Sequence, residues 1–423
     1  MSSLPKLRLS EFSDSNTYCL HKFDDMFSFS SGKNIKQNES SPEFSTPCVR
    51  YGELYHMYGE VITKTINKTN LEHSELTFSV GNEILLPSAG EDPLDIGSAS
   101  ALTLEGVAIG RTINVLRPKG TIDYSHIYVS YYINEKLRKR ISQLARGASI
   151  SNVYNSDLKT LKAYLPSFPE QQKIASFLSK VDEKIALLTE KKDKLTEYKK
   201  GVMQQLFNGK WEKQDGQLTF IPPTLRFKAD DGSEFPDWEE TKLGDVTEPP
   251  SYGLNSAATK YDGLNKYIRI TDIDEADRSF SPSPLTSPEE IDDAYLLEEG
   301  DIVFARTGAS VGKSYLYNKD DGRLMFAGFL IKFSVSKANP KFISYQMTTS
   351  QYDNWVKVMS VRSGQPGINA QEYSTYPLNV PCTEEQEQIA NFLSALDHKI
   401  YLVSSELEKA KEWKKGLLQQ MFV

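Results

Sequence analysis

The feature that most limits what this chain can fold into is that it contains itself twice. The segment Pro169 to Leu178 (PEQQKIASFL) returns as Thr383 to Leu393 (TEEQEQIANFL), with Ile174 falling on Ile389, an offset of 389 − 174 = 215. At the same offset Asp182, Lys184 and Ile185 fall on Asp397, Lys399 and Ile400, and KKGVMQQLF from Lys199 falls on KKGLLQQMF from Lys414. Fainter echoes precede each copy: Pro5 to Leu9 with Pro223 to Phe227, Val49 to Leu54 with Ile268 to Ile273, and Gly81 to Leu85 with Gly300 to Phe304. Chance does not produce this, and internal repetition dictates architecture before any other signal is weighed. The chain is a tandem duplication, each half a variable body followed by one strongly similar segment. The similar segments should do one job twice, while the bodies share a scaffold and differ in detail.

Both similar segments carry a heptad pattern. Ile174, Val181, Leu188, Leu195 and Val202 recur every seven residues, with Leu178, Ile185 and Leu206 between them. In the second copy Ile389, Leu396, Val403, Ala410 and Leu417 hold the first position, and Leu393, Ile400, Leu407 and Met421 the other. That spacing predicts a coiled-coil seam. Lys192, Lys199 and Lys414 interrupt it, so part of the pairing is loose or the lysine stems snorkel outward. Ser167 with Glu170, and Thr383 with Gln386, have the spacing of capping boxes, and Asn208-Gly209 supplies a stop. Each helix of about 33 residues would be roughly 50 Å long. Within one chain the two helices can pair antiparallel, as a rod that fixes a distance; alternatively each packs on its own body, or the seam joins two copies of the chain.

The bodies, residues 1–165 and 221–380, are rich in Tyr, Phe, Ser, Thr and Gly. Short apolar runs such as Glu83-Ile-Leu-Leu, Asp301-Ile-Val-Phe-Ala and Phe329-Leu-Ile-Lys-Phe read as strands, and Ser125 to Leu144 and Lys341 to Val358 as helices. The fold class that follows is α/β: two mixed α/β domains joined by two long antiparallel coiled-coil helices, with an internal pseudo-twofold repeat. The divisions are 1–165, 166–208, 209–380 with a polar linker up to Pro223, and 381–423.

Several functions are disfavoured. Cys19, Cys48 and Cys382 are far apart and unpaired in spacing, which suits neither a disulfide framework nor a zinc site. The five histidines never occur at HxxxH or HExxH spacing, so no metal is expected. No apolar run approaches a membrane span, and the N-terminus has no secretory pattern, which places the chain in the cytoplasm. Thr307 to Ser314 (TGASVGKS) differs from a phosphate-binding loop in lacking its first glycine, and the Tyr315-Leu-Tyr after it reads as a strand, where a phosphate site needs a helix. Glu248-Pro-Pro-Ser-Tyr lacks the amide and the aromatic with which amino-methyltransferases hold a flipped adenine, and Pro236-Asp237 with Glu240 is too compact for a nuclease metal site. No catalytic residue is expected.

The repeated Glu-Gln-x-x-Ile-Ala-x-Phe-Leu opening and Lys-Lys-Gly-x-x-Gln-Gln-x-Phe closing of each helix, with a variable body before each, resemble the specificity subunits of type I restriction-modification systems over the whole chain. The resemblance implies two target-recognition domains, each reading half of a split, asymmetric site in double-stranded DNA, with the helical pair setting the gap. It further implies two modification subunits docked through the helices and methylating adenine with S-adenosylmethionine, and restriction subunits that use ATP and Mg; this chain would hold no cofactor itself. Charge departs from that picture. The formal net charge is −8, with 18 basic and 18 acidic residues in 1–165 but 16 against 24 in 221–380, whereas phosphate contact needs cations. DNA contact must therefore come from local clusters or from partners.

Base edges need donors such as Arg, Lys, Gln and Asn. The candidate DNA contacts are Arg50, Tyr51, Arg111 and Arg146 in the first body and Arg269, Thr271, Arg306, Lys313, Arg362 and Gln365 in the second; Arg50 and Arg269 occupy equivalent places in the duplication. Helix pairing and partner docking fall to Ile174, Leu178, Val181, Ile185, Leu188, Leu195, Ile389, Leu393, Leu396, Ile400, Val403 and Leu407. The reading in another class is a coiled-coil interaction scaffold whose bodies bind protein.

Overall fold

In a computed structural model, which describes residues 5–13, 18–214, 217–221, 223, 225–361 and 364–422, the chain divides into two compact units. One is Met1–Glu190 with Ser404–Val423; the other is Lys191–Val403. Each unit thus contains one body, the first half of the helix that follows it and the last half of the other long helix.

In the first unit a five-stranded sheet runs in the order Phe27–Ser31, Ile113–Pro118, Glu83–Pro87, Ser100–Leu102 and Val61–Ile62. The pairs are antiparallel except the last, which is parallel. Glu83–Pro87 is central and buried throughout, which is why it reads as an unbroken apolar run instead of an alternating one. The segment expected to be helical from Ser125 is so: Ser125 accepts the Tyr128 N–H through its hydroxyl, and His126–Tyr132 passes through a π turn at Ile133–Leu137 into Arg138–Leu144. Strand Cys19–Lys22 pairs with Lys162–Leu165, Cys19 opposite Leu165, closing the body at the foot of the first long helix.

The second unit repeats the plan. Its sheet runs Ser251–Tyr252, Leu330–Ser334, Asp301–Ala305, Ser314–Leu316, all antiparallel, and Glu239–Lys242 pairs with Pro377–Val380, Glu239 opposite Val380. Two expectations change. The helix expected over Lys341 to Val358 is two, Pro340–Gln346 and Ser350–Met359, because the Thr349 hydroxyl accepts the Tyr352 N–H and starts a new helix there. The segment read as a polar linker carries a hairpin, Lys210–Gln214 against Gln217–Ile221.

The long helices are Phe168–Phe207 and Thr383–Met421, of 40 and 39 residues, each about 60 Å long at ~1.5 Å per residue. In the first unit Ile174, Leu178 and Val181 share a core with Leu417, Met421 and Phe422; in the second Ile389, Leu393 and Leu396 share one with Val202, Leu206 and Phe207. The start of each helix packs on the end of the other, so the pairing is antiparallel and the seam is filled within the chain. Neither capping box forms. Glu170 spends its carboxylate on Arg8, and Thr383 is itself the first helical residue, one position late relative to Ser167. The stop at Asn208-Gly209 is as expected, with the Asn208 N–H on the Gln204 carbonyl.

Two of the three seam lysines, Lys199 and Lys414, are held in place. Lys199 Nζ lies 2.5 Å from Asp397 Oδ1 and 5.2 Å from the centre of the Tyr345 ring. Lys414 Nζ lies 2.7 Å from Asp182 Oδ1, 2.8 Å from Glu60 Oε2 and 5.6 Å from the centre of the Tyr131 ring. Burial alone would lower the Lys414 ammonium, but Glu60 and Asp182 outweigh it and hold it above its ordinary value. Each tyrosine donates its hydroxyl to the same aspartate, Tyr131 to Asp182 and Tyr345 to Asp397.

Candidate nucleic-acid interface

Each sheet ends in a set of loops that the duplication places alike. In the first unit the Gly110 N–H donates to Val49 C=O (2.9 Å), which brings Arg111 beside Arg50; the Ser88 N–H donates to Thr112 C=O (2.8 Å), and Val153 to Ser88 C=O (3.0 Å). In the second the Ala327 N–H donates to Ile268 C=O (3.0 Å), Arg306 to Phe329 C=O (3.1 Å) and Ile368 to Arg306 C=O (2.9 Å). Arg50, Arg111 and the loop after Arg146 therefore converge at one end of the first sheet, and Arg269, Arg306 and Gln365 at the matching end of the second. The approach is close enough to demand glycine. A Cβ on Gly32 would meet the Gly110 carbonyl oxygen at 2.1 Å, and a Cβ on Gly253 would meet that of Ala327 at 2.1 Å.

The cations there differ in how they are held. Arg50 and Arg269 begin helical turns and lie against buried acids: Arg50 Nε is 2.8 Å from Glu53 Oε1, and Arg269 Nη2 is 2.8 Å from Asp272 Oδ1. The hydrogen bonds that Arg269 donates to Asp272 hold its guanidinium above its ordinary value. Arg146, largely exposed, pairs with Asp157 at 2.9 Å, and Lys313 with Glu275 at 3.1 Å. Tyr51, Arg111, Thr271 and Gln365 are exposed, and Gln365 lies over Gly308. Arg362 lies outside the described residues.

Residues 18–197 and 236–412 each match the type I restriction modification DNA specificity domain. The chain belongs to that family. Each match begins in a body and ends inside the long helix that follows, so the family's domain is the repeated module itself. The type I restriction enzyme MjaVIII specificity subunit of Methanocaldococcus jannaschii is 24% identical over 348 residues, 80% of this chain and 77% of the relative. The EcoKI specificity subunit of Escherichia coli K12 is 23% identical over 299 residues, 68% of this chain and 62% of the relative. In fold the chain is similar to the crystal structure of the type I restriction-modification system S subunit from M. genitalium, with a TM-score of 0.64, 18% identity, and 100% and 99% of the two chains covered.

Family membership sharpens the reading of the repeated motif. Glu170 and Glu385 are fully buried and each takes a two-pronged bond from an arginine at the start of its body, Arg8 Nε and Nη2 at 2.7 Å each, and Arg226 Nε and Nη2 at 3.1 and 2.7 Å. The next residue repeats too. Gln171 donates to Pro166 C=O and accepts the Ser125 N–H, while Gln386 donates to Pro381 C=O and accepts the Asn339 N–H. The Glu-Gln pair is thus the clasp that fixes each body to its helix. Of the residues set down for helix pairing, Ile174, Leu178, Val181, Leu188, Ile389, Leu393, Leu396, Val403 and Leu407 are buried, and Ile185, Leu195 and Ile400 half-buried. Sequence reasoning passed over Tyr252 and Phe329, which flank Arg306; the only signal was an aromatic residue beside a glycine at the edge of a strand run.

Proposed function

We propose that this chain is the non-catalytic DNA-reading subunit of a type I restriction-modification complex, in which each unit reads one half of a split, asymmetric site. The paired helices set the gap and hold two modification subunits, restriction subunits complete the complex, and S-adenosylmethionine, ATP and Mg belong to those partners. The observation that carries this is the double family match, with cation-bearing loops at the equivalent end of both sheets. The non-catalytic reading is supported by the phosphate-loop look-alike, where Gly308–Ser310 leads into the strand Ser314–Leu316 and no helix points its dipole at a phosphate.

Long-read mapping of N6-methyladenine in host DNA tests it, with the gene intact or deleted and expression of the modification subunits confirmed. One split methylated motif is expected to vanish on deletion. An unchanged methylome would instead favour the scaffold role. Within the assembled complex, Arg50→Ala and Arg269→Ala are each expected to cost about 1–3 kcal/mol of affinity for one cognate half-site at fixed salt, read by fluorescence anisotropy. Glu53 and Asp272 lose the guanidinium in these variants but keep the backbone N–H of the same position, and Glu53 keeps Asn67, so melting is followed alongside. Unchanged affinity removes that arginine from the readers.

A further inference from the structure

One arginine at the end of the second sheet is held by aromatic rings instead of by an acid. Arg226, Arg269 and Arg323 each meet a carboxylate, on Glu385, Asp272 and Asp293. Arg306 instead lies between two aromatic rings, its Cζ 5.3 Å from the centre of Tyr252 and 5.7 Å from that of Phe329, and its Nε donates to Gly328 C=O at 3.1 Å. Neither Nη atom has a hydrogen-bond partner among the described residues. Both rings face water, Tyr252 46% and Phe329 57% exposed. They are nevertheless fixed: the Tyr252 hydroxyl accepts the Ala370 N–H at 3.3 Å, and the backbone of Phe329 is bonded to that of Arg306. Cation–ring contacts restrict the guanidinium and strip water from its faces, so the ordering cost of a bound state is met in advance.

The duplication supplies the comparison. Tyr252 pairs with Ile331 where Ser31 pairs with Asn114, and the Arg306 N–H bonds Phe329 C=O where Ser88 bonds Thr112 C=O. Three small hydroxyl residues, Ser31, Ser88 and Thr112, therefore stand where the second unit has Tyr252, Arg306 and Phe329. The strand pairing is shared, down to the glycine contacts at Gly32 and Gly253, while the side chains have changed. Two domains that read different half-sites require that kind of difference.

We infer that Tyr252, Arg306 and Phe329 form a base-reading clamp peculiar to the second unit, in which Arg306 presents both Nη groups to O6 and N7 of a guanine in the major groove. With Nε already bonded to Gly328, the remaining donors form a planar fork, and guanine is the base whose major-groove edge offers two adjacent acceptors. The flanking rings supply apolar contact to neighbouring base edges, above all a thymine methyl. The inference rests on the DNA-reading function proposed above.

The test uses the complex assembled with its modification subunits, methylating a duplex library randomised across both halves of the wild-type motif. In Arg306→Ala, preference for one G·C pair in one half is expected to fall roughly ten- to a hundredfold, with the other half unchanged. Arg306→Lys keeps the charge but not the fork and should lose the same preference. Phe329→Ala removes an exposed ring without opening the core and should weaken the same position. Uniform weakening with a shallower salt dependence would make Arg306 a phosphate contact and overturn the clamp; so would an unaltered motif in all three variants, or a change in both halves. A wild-type complex that methylates no motif sinks the DNA-reading function itself, and the clamp with it.

Discussion

Replacing Glu385 with alanine is expected to remove about 3–5 kcal/mol from the stability of the second unit, the typical loss when one partner of a buried ion pair is deleted. The carboxylate is fully buried and serves three donors: Arg226 Nε at 3.1 Å, Arg226 Nη2 at 2.7 Å and the Trp238 indole N–H at 3.1 Å. Alanine strips the guanidinium of its carboxylate, leaving it the Phe235 and Pro236 carbonyls, and leaves the indole N–H without its acceptor in a site that admits little water, where an orphaned group carries its own desolvation penalty. Because Arg226 lies at the start of the body and Glu385 at the start of the helix, the loss falls on the junction that ties the two together. Trp238 is one of four tryptophans, so denaturant unfolding followed by tryptophan fluorescence reads the loss with Trp211, Trp355 and Trp413 replaced by phenylalanine in both the variant and its reference. Glu385→Gln keeps a carbonyl acceptor and should lose less. Glu170→Ala is the matching change in the first unit, where Arg8 loses its two-pronged bond to the carboxylate and no indole is involved. A Glu385→Ala chain with the unfolding midpoint of the unaltered protein would show that the clasp contributes little.

The same residues show what the sequence could and could not disclose. The duplication, the heptads, the central strands Glu83–Pro87 and Asp301–Ala305 and the mixed α/β class were legible because each rests on a periodicity or on an exact repeat, and local physics writes both directly into the chain. The Glu-Gln pair was legible as a motif but misread as a cap. Spacing to Ser167 suggested a local bond, whereas the partner, Arg8, is 162 positions away. Lys199 and Lys414 were misread for the same reason, since a heptad count sees only the helix that carries them. The equivalence of Gly32 and Gly253 was invisible: nothing in either neighbourhood announces that a carbonyl from a distant strand will pass 2.1 Å from a Cβ. The arginines were picked by residue type and by position near the repeats. That singled out Arg306 but not the two rings beside it, because strand register, not sequence separation, places Tyr252 and Phe329 on either side.

Lys414→Met is expected to destabilise the first unit at neutral pH by about 2–4 kcal/mol, and to do so with a distinctive pH dependence. The ammonium lies between Asp182 and Glu60, and removing it leaves two carboxylates facing one site. Their repulsion is relieved as one takes up a proton, so the variant should regain part of its lost stability on mild acidification. In the unaltered chain the sign is opposite at the alkaline end. The folded Lys414 holds its proton above its ordinary value of 10.5, so its contribution is complete below that value and is lost as pH rises through the folded one. Lys199→Met, whose lysine meets one carboxylate, Asp397, in place of two, should cost less and show no acid recovery; equal losses and equal pH profiles for the two variants would contradict the assignment. The placement explains why these polar groups interrupt an apolar seam. Within each repeat the lysine follows the aspartate by 199 − 182 = 414 − 397 = 17 residues, about 25 Å along the helix, too far for the two to meet. Parallel pairing in register would set lysine beside lysine and aspartate beside aspartate. Only the antiparallel arrangement brings each lysine to the other helix's aspartate, so the seam spends apolar contact at two positions to penalise the wrong orientation, as buried polar groups do when they fix register in other coiled coils.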